Sequence, residues 1–159
     1  MARRLRSGNR LPGWLILVLV GALVGVVALP FGDRASALVP ELESNIETPL
    51  TEFRSAIRDY AQDHDEWPGA LGEWQLRAQL LGTTDATGRV GSGEDYVHGP
   101  YLPGEVPLNP ATRSRAVQVV GRMPESASDQ AGWIYSYETG EVRPDLSGAG
   151  VDGRLYFDL

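Results

Sequence analysis

The sequence contains no cysteine, which excludes a disulfide framework, zinc–thiolate and iron–sulfur sites and a thiol nucleophile. It contains no lysine either, all 14 basic residues being arginine, so Schiff-base chemistry and the phosphate-binding lysine of a P-loop are ruled out. Histidine is confined to His64 and His98. No carboxylate precedes Asp33, whereas Arg3, Arg4, Arg6 and Arg10 do. From Asp33 to Leu159, 10 arginines face 21 carboxylates, a net charge of −11. Nucleic-acid binding draws most of its affinity from cationic contacts to phosphate, so a region this acidic is a poor partner for nucleic acid.

What is present first is an apolar run. Gly13 to Leu29 is 17 residues without a charge, inside an uncharged stretch from Leu11 to Gly32. At about 1.5 Å per residue such a helix just crosses a hydrocarbon core of roughly 30 Å. Four arginines on its amino side and no acid nearby place the amino terminus in the cytoplasm and the rest outside. The expected domains are therefore a basic cytoplasmic segment 1–10, a single transmembrane helix 11–32 in the cytoplasmic membrane and an exported domain 33–159. Gly21 and Gly25 would let a second helix approach closely. Ala35-Ser36-Ala37 offers the competing reading of a cleavable signal peptide. Either reading exports the domain.

Within that domain Leu38, Leu42, Ile46, Leu50, Phe53, Ile57 and Tyr60 recur at three- and four-residue steps, the stripe of an amphipathic helix. Pro40 and Pro49 predict two helical pieces in line, the second capped by Thr48 and ending before Trp67-Pro68-Gly69. Its outer face, Glu52, Arg58, Asp59 and Asp63, reads as solvated. A short helix over 71–81 and a polar loop over 82–93 follow. The four prolines of Gly99 to Pro110 exclude a regular element and predict an extended connector. Strands are expected over 116–121, 132–137, 141–143 and 154–158, with a hairpin turn at Glu138-Thr139-Gly140 in which Gly140 is left-handed. The fold class expected is α+β: an N-terminal transmembrane or long helix packed on a small antiparallel sheet.

Phe53–Gly69 (FRSAIRDYAQDHDEWPG), Gly99–Pro110 (GPYLPGEVPLNP) and Gly132–Asp145 (GWIYSYETGEVRPD) resemble, in order and spacing, the helix end, proline connector and hairpin of the type IV pilin and type II secretion pseudopilin superfamily. The resemblance covers about two thirds of the chain. It implies a pilin-like fold and a structural or assembly role in a secretion or pilus-type machine, with other pilin-like subunits or secretion proteins as partners. The family carries a peptidase site, a Gly followed by Phe-Thr-Leu-x-Glu; here Gly13-Trp14 stands at that place and Val18 replaces the Glu. An unprocessed anchored protein and a processed subunit therefore both remain open. Some pseudopilins resemble one another in a carboxy-terminal loop that binds calcium, and here Asp145, Ser147 and Asp152 sit in RPDLSGAGVD, hard oxygen donors on a Gly-rich loop that do not follow EF-hand spacing and are also ordinary turn residues.

No other chemistry is signalled. Asp63-His64-Asp65-Glu66 reads as a solvated helix terminus, since adjacent helical residues point apart. His98 reads as packing or hydrogen-bonding the connector. Trp67, Trp74 and Trp133 read as core in preference to a binding platform. No nucleophile–base signature occurs, so no enzyme is expected. The alternative to an assembly role is an exported binding module, anchored or released, outside any filament.

Overall fold

The computed structural model describes residues 32–150 and 152–159, with side chains from Asn45 onward. All of the expected membrane segment 11–32 except Gly32 lies outside the described residues, as do Gly13-Trp14, Val18 and the Gly21/Gly25 pair. The chain divides after Ala35 into two units, and the fold below is that of residues 36–159.

Helix α1 (Gly32–His64, 33 residues) is continuous, where the sequence predicted two pieces. Pro49 sits inside it, and an interior proline forfeits a hydrogen bond and crowds the preceding turn, at about 3 kcal/mol. Against this stands the stripe Ile46, Leu50, Phe53, Ala56, Ile57 and Tyr60, each at most 2% exposed. Full burial of a large apolar side chain stabilises by about 1.5–3 kcal/mol, so the stripe outweighs the proline. At the carboxyl end Asp65 turns left-handed (φ 55°) and its N–H bonds the Ala61 carbonyl.

The expected architecture of a membrane-spanning helix on an antiparallel sheet is overturned. Among the described residues no helix is long and apolar enough to cross a membrane. Helix α1 has the length, but Glu52, Arg58, Asp59 and Asp63 line its exposed side, which makes it an amphipathic domain helix. The described residues form a small α+β domain of two helices and two small sheets.

Helix α2 (Glu73–Leu81) buries Leu76, Gln79 and Leu80. The loop expected over 82–93 contains a short antiparallel pair, β1 (Thr83–Thr84) and β2 (Val90–Gly91). Asp85 closes it, its carboxylate accepting from the N–H and hydroxyl of Thr87 and from the N–H and guanidinium of Arg89 at 2.7–3.2 Å. The proline connector is extended, as expected. It packs Leu102 and Val106 into the core, both at most 1% exposed, because its prolines leave side chains rather than a ladder to hold it down.

The second sheet has the order β3 (Val117–Val120), β4 (Trp133–Ser136), β5 (Val142–Pro144). Strands β4 and β5 form the expected antiparallel hairpin, with Gly140 at φ 71°. Strand β3, however, runs parallel to β4, pairing Val117 with Trp133. The 12 residues Gly121–Gly132 between them are enough for the crossover that parallel pairing requires. The strand expected at 154–158 is instead a 3₁₀ turn, Tyr156–Asp158. Consecutive Tyr156 and Phe157 are both buried, whereas a strand would send them to opposite faces.

Strand β4 is buried along its whole length. Trp133 and Tyr135 face α1, the Trp133 ring meeting Phe53 edge-on at 6.2 Å, and join one core with Leu76, Leu80, Leu102, Val106, Val117 and Val142.

Candidate functional site

The three residues that the calcium reading singled out do different jobs. Asp145 follows β5 and is fully buried. Its Oδ1 accepts from the N–H groups of Ser128 and Asp129 (2.5 and 3.0 Å), and its Oδ2 from the Ser128 hydroxyl and the N–H groups of Gln130 and Ala131 (2.7–2.9 Å). Burial raises its pKa, but the Ser128 hydroxyl and the loop N–H groups outweigh burial and hold it below the ordinary carboxylate value. Ser147 donates its N–H to the Asp129 carboxylate at 2.7 Å. Asp152 is exposed and accepts the N–H of Arg154 at 2.9 Å. Among the described residues no group of three or more His, Asp or Glu side chains is gathered for a metal. Asp145 fastens the crossover loop beneath β5, which brings β4 back parallel to β3.

Titratable side chains do converge at the end of α1, where a merely solvated terminus was expected. The Tyr101 hydroxyl donates to Asp63 Oδ2 at 2.9 Å, and His98 Nδ1 lies 3.3 Å from the same oxygen. His64 Nε2 is 2.9 Å from the Thr84 hydroxyl and 3.1 Å from the Tyr101 hydroxyl. The rings of His64 and His98 meet edge-on at 5.1 Å, and Tyr60 packs on His64 at 4.2 Å. With its proton given to Asp63, the Tyr101 oxygen can only accept from His64. That assigns a proton to Nε2 and leaves the buried Nδ1 of His64 without a partner among the described residues.

Electrostatics follow the geometry. Hydrogen bonding from Tyr101, and secondarily from His98, depresses the pKa of Asp63. Burial, then the adjacent Asp63, raises that of Tyr101. Burial, with the charges of Glu66 and Asp85, pushes Tyr60 up to about 12. Both tyrosines are thus neutral at physiological pH, Tyr101 donating to Asp63 and Tyr60 accepting from Gln79. Chemically the cluster pins three segments together: the end of α1, β1 through Thr84, and the connector through His98 and Tyr101. The 34-residue gap between the histidines hid it in the sequence; its one local signal was a histidine at the end of an apolar stripe.

Other buried polar side chains work in the same way. Gln79 accepts from the Gly69 N–H and donates to the Tyr60 hydroxyl and the Gly88 carbonyl at 2.6–3.0 Å. Asn109 donates to the Gly132 carbonyl at 2.7 Å, the Trp133 indole to that of Pro107 at 2.8 Å, and the Tyr135 hydroxyl to that of Pro68 at 2.8 Å. Of the three tryptophans expected in the core, Trp133 is wholly buried and Trp67 packs against the core. Trp74, by contrast, is 66% exposed, because α2 turns Leu76 and Leu80 inward and leaves position 74 on the outer side.

No protein family, curated protein or solved structure matches this chain.

Proposed function

We propose that the chain is a structural or assembly component, pseudopilin-like in role, of a type II secretion or type IV pilus-like system. In this reading the uncharged segment 11–32 holds it at the cytoplasmic membrane and the acidic domain is exported. The observation that carries the reading is the use of polar groups. The side chains of Asp145, Asn109 and Gln79 and the ring donors of Trp133 and Tyr135 are spent on backbone atoms of the crossover, connector and loops. A part built this way presents a fixed surface to its neighbours, as a scaffold subunit must. The segments Gly99–Pro110 and Gly132–Asp145, quoted above for the pseudopilin resemblance, are the ones so fastened.

Deleting the gene in its native host tests this directly: protein secretion or surface pili are lost and return on complementation. Unchanged secretion and piliation would refute the role. A second reading, an exported binding module outside any filament, is favoured by one observation, the exposed indole of Trp74. Under that reading the isolated protein retains a ligand and the deletion leaves secretion intact.

A further inference from the structure

Trp74 stands on the wall of an open groove of about 310 Å³, whose other walls include Glu66, Ala78, Thr87, Arg89 and Val90. That volume is at the low end of ligand sites, roughly 300–1,000 Å³, and suits one long side chain rather than a cofactor. Two apolar surfaces are open to solvent there, the indole at 66% and Val90 at 44% exposure. The charges of the groove are unequal in their commitments. Arg89 is paired with Asp85 at 2.7 Å, so its guanidinium is neutralised within the β1–β2 turn. Glu66 has no ion pair or hydrogen bond among the described residues, so Glu66, Arg89 and the Asp85 behind it together carry one net negative charge. An anionic ligand would meet that carboxylate unpaired, and a purely apolar one would desolvate it.

We propose that this groove receives an arginine or lysine side chain presented by a partner protein, the cation over the Trp74 ring and paired with Glu66. A cation is attracted to the face of an indole more strongly than to other aromatic rings. The methylene stem of such a side chain covers apolar surface while its head stays polar, which matches Ala78 and Val90 beside Glu66. The net charge of −11 over residues 33–159 steers a basic segment toward the domain. The inference rests on the assembly reading only in taking the ligand to be a protein.

The test uses the full chain, ¹⁵N-labelled in non-ionic detergent, titrated with acetyl-Gly-Arg-Gly-amide, its lysine counterpart and its neutral citrulline counterpart. The indole N–H signal of Trp74 is assigned by its disappearance in Trp74→Phe. It shifts saturably with the two cationic peptides and not with citrulline. Glu66→Gln weakens the response on the order of two- to five-fold, as expected for an exposed ion pair, and Trp74→Ala abolishes the saturable shift of the Val90 backbone N–H, which lines the same groove and reports binding without the indole. The buried Trp133 indole, unshifted in both variants, shows that the fold is kept. No shift at millimolar peptide, an equal shift with citrulline, or a response to maltose in place of the peptides overturns the proposal. The titration is independent of the deletion phenotype, so failure of the groove and failure of the assembly role are separately visible.

Discussion

Replacing Asp145 by Asn should destabilise the domain far more than its place next to a surface loop suggests. The carboxylate accepts two hydrogen bonds on Oδ1 and three on Oδ2. An amide keeps one acceptor atom, so whichever way it is turned, at least two backbone N–H groups of residues 128–131 face an NH₂ group. A donor left unsatisfied in the interior costs about 1–3 kcal/mol. Ser128, Asp129 and Gln130 are exposed while Ala131 is buried, so water relieves part of the loss. The expected total is about 2–4 kcal/mol. With a urea dependence of about 1–3 kcal/mol per molar, the unfolding midpoint falls by roughly 1 M or more. The pH dependence carries a sign. A depressed native pKa contributes stability that is present above the unfolded value of about 3.9 and lost as pH falls through the native value. Wild type therefore loses stability on acidification below about pH 4, and the Asn variant loses less. Urea unfolding followed by tryptophan fluorescence across that range checks both statements. A loss under about 1 kcal/mol, or acid curves that run parallel, would refute the assignment of Asp145 as the clamp of the crossover. If added calcium stabilised wild type but not the variant, the carboxylate would be a metal ligand first.

Three further perturbations test other joints. A Cβ at Gly140 would stand 2.5–2.6 Å from the Trp67 ring, at φ 71°; overpacking plus left-handed strain predict a loss of about 2–4 kcal/mol for Gly140→Ala. Gly104→Ala, with nothing within 4 Å, should be neutral to about 0.5 kcal/mol in the same melt. Tyr101→Phe removes the donor to Asp63 and a partner of His64, costing about 1–2 kcal/mol; the Asp63 carboxyl then titrates at higher pH, and an unchanged Asp63 titration by NMR would contradict the cluster. Intact mass and amino-terminal sequence from native membranes should show a start at Met1 or Ala2 for a permanent anchor. A start at Trp14 would mean prepilin-type processing despite Val18, and a soluble form starting at Leu38 would sink the anchor.

The parts of the fold that could be read in the sequence are those in which one local rule dominates. The stripe from Ile46 to Tyr60, the proline-bound connector and the Gly140 hairpin each follow from periodicity or from a residue with a restricted backbone, and each is found. Pro49 misled because a local penalty of about 3 kcal/mol was set against nothing local; the burial of Leu50, Phe53 and Ile57 that opposes it exists only once β4 and the connector cover the helix. Strand direction failed for a related reason. The stretch from Gly121 to Gly132 looks like any polar turn, and what makes it a parallel crossover is a carboxylate 13 residues beyond its end, whose five hydrogen bonds no spacing rule announces. Asp145 stands out in the sequence only as a hard oxygen donor, because a sequence gives the chemistry of a group and not the company it keeps. The same holds for the tryptophans: size placed all three in the core, and only the inward turn of Leu76 and Leu80 decides that Trp74 is left outside. Burial thus removes Asp145 from the surface and its absence leaves Trp74 there. A search for partners of this domain is therefore better aimed at the groove beside α2 than at the acidic loop after β5.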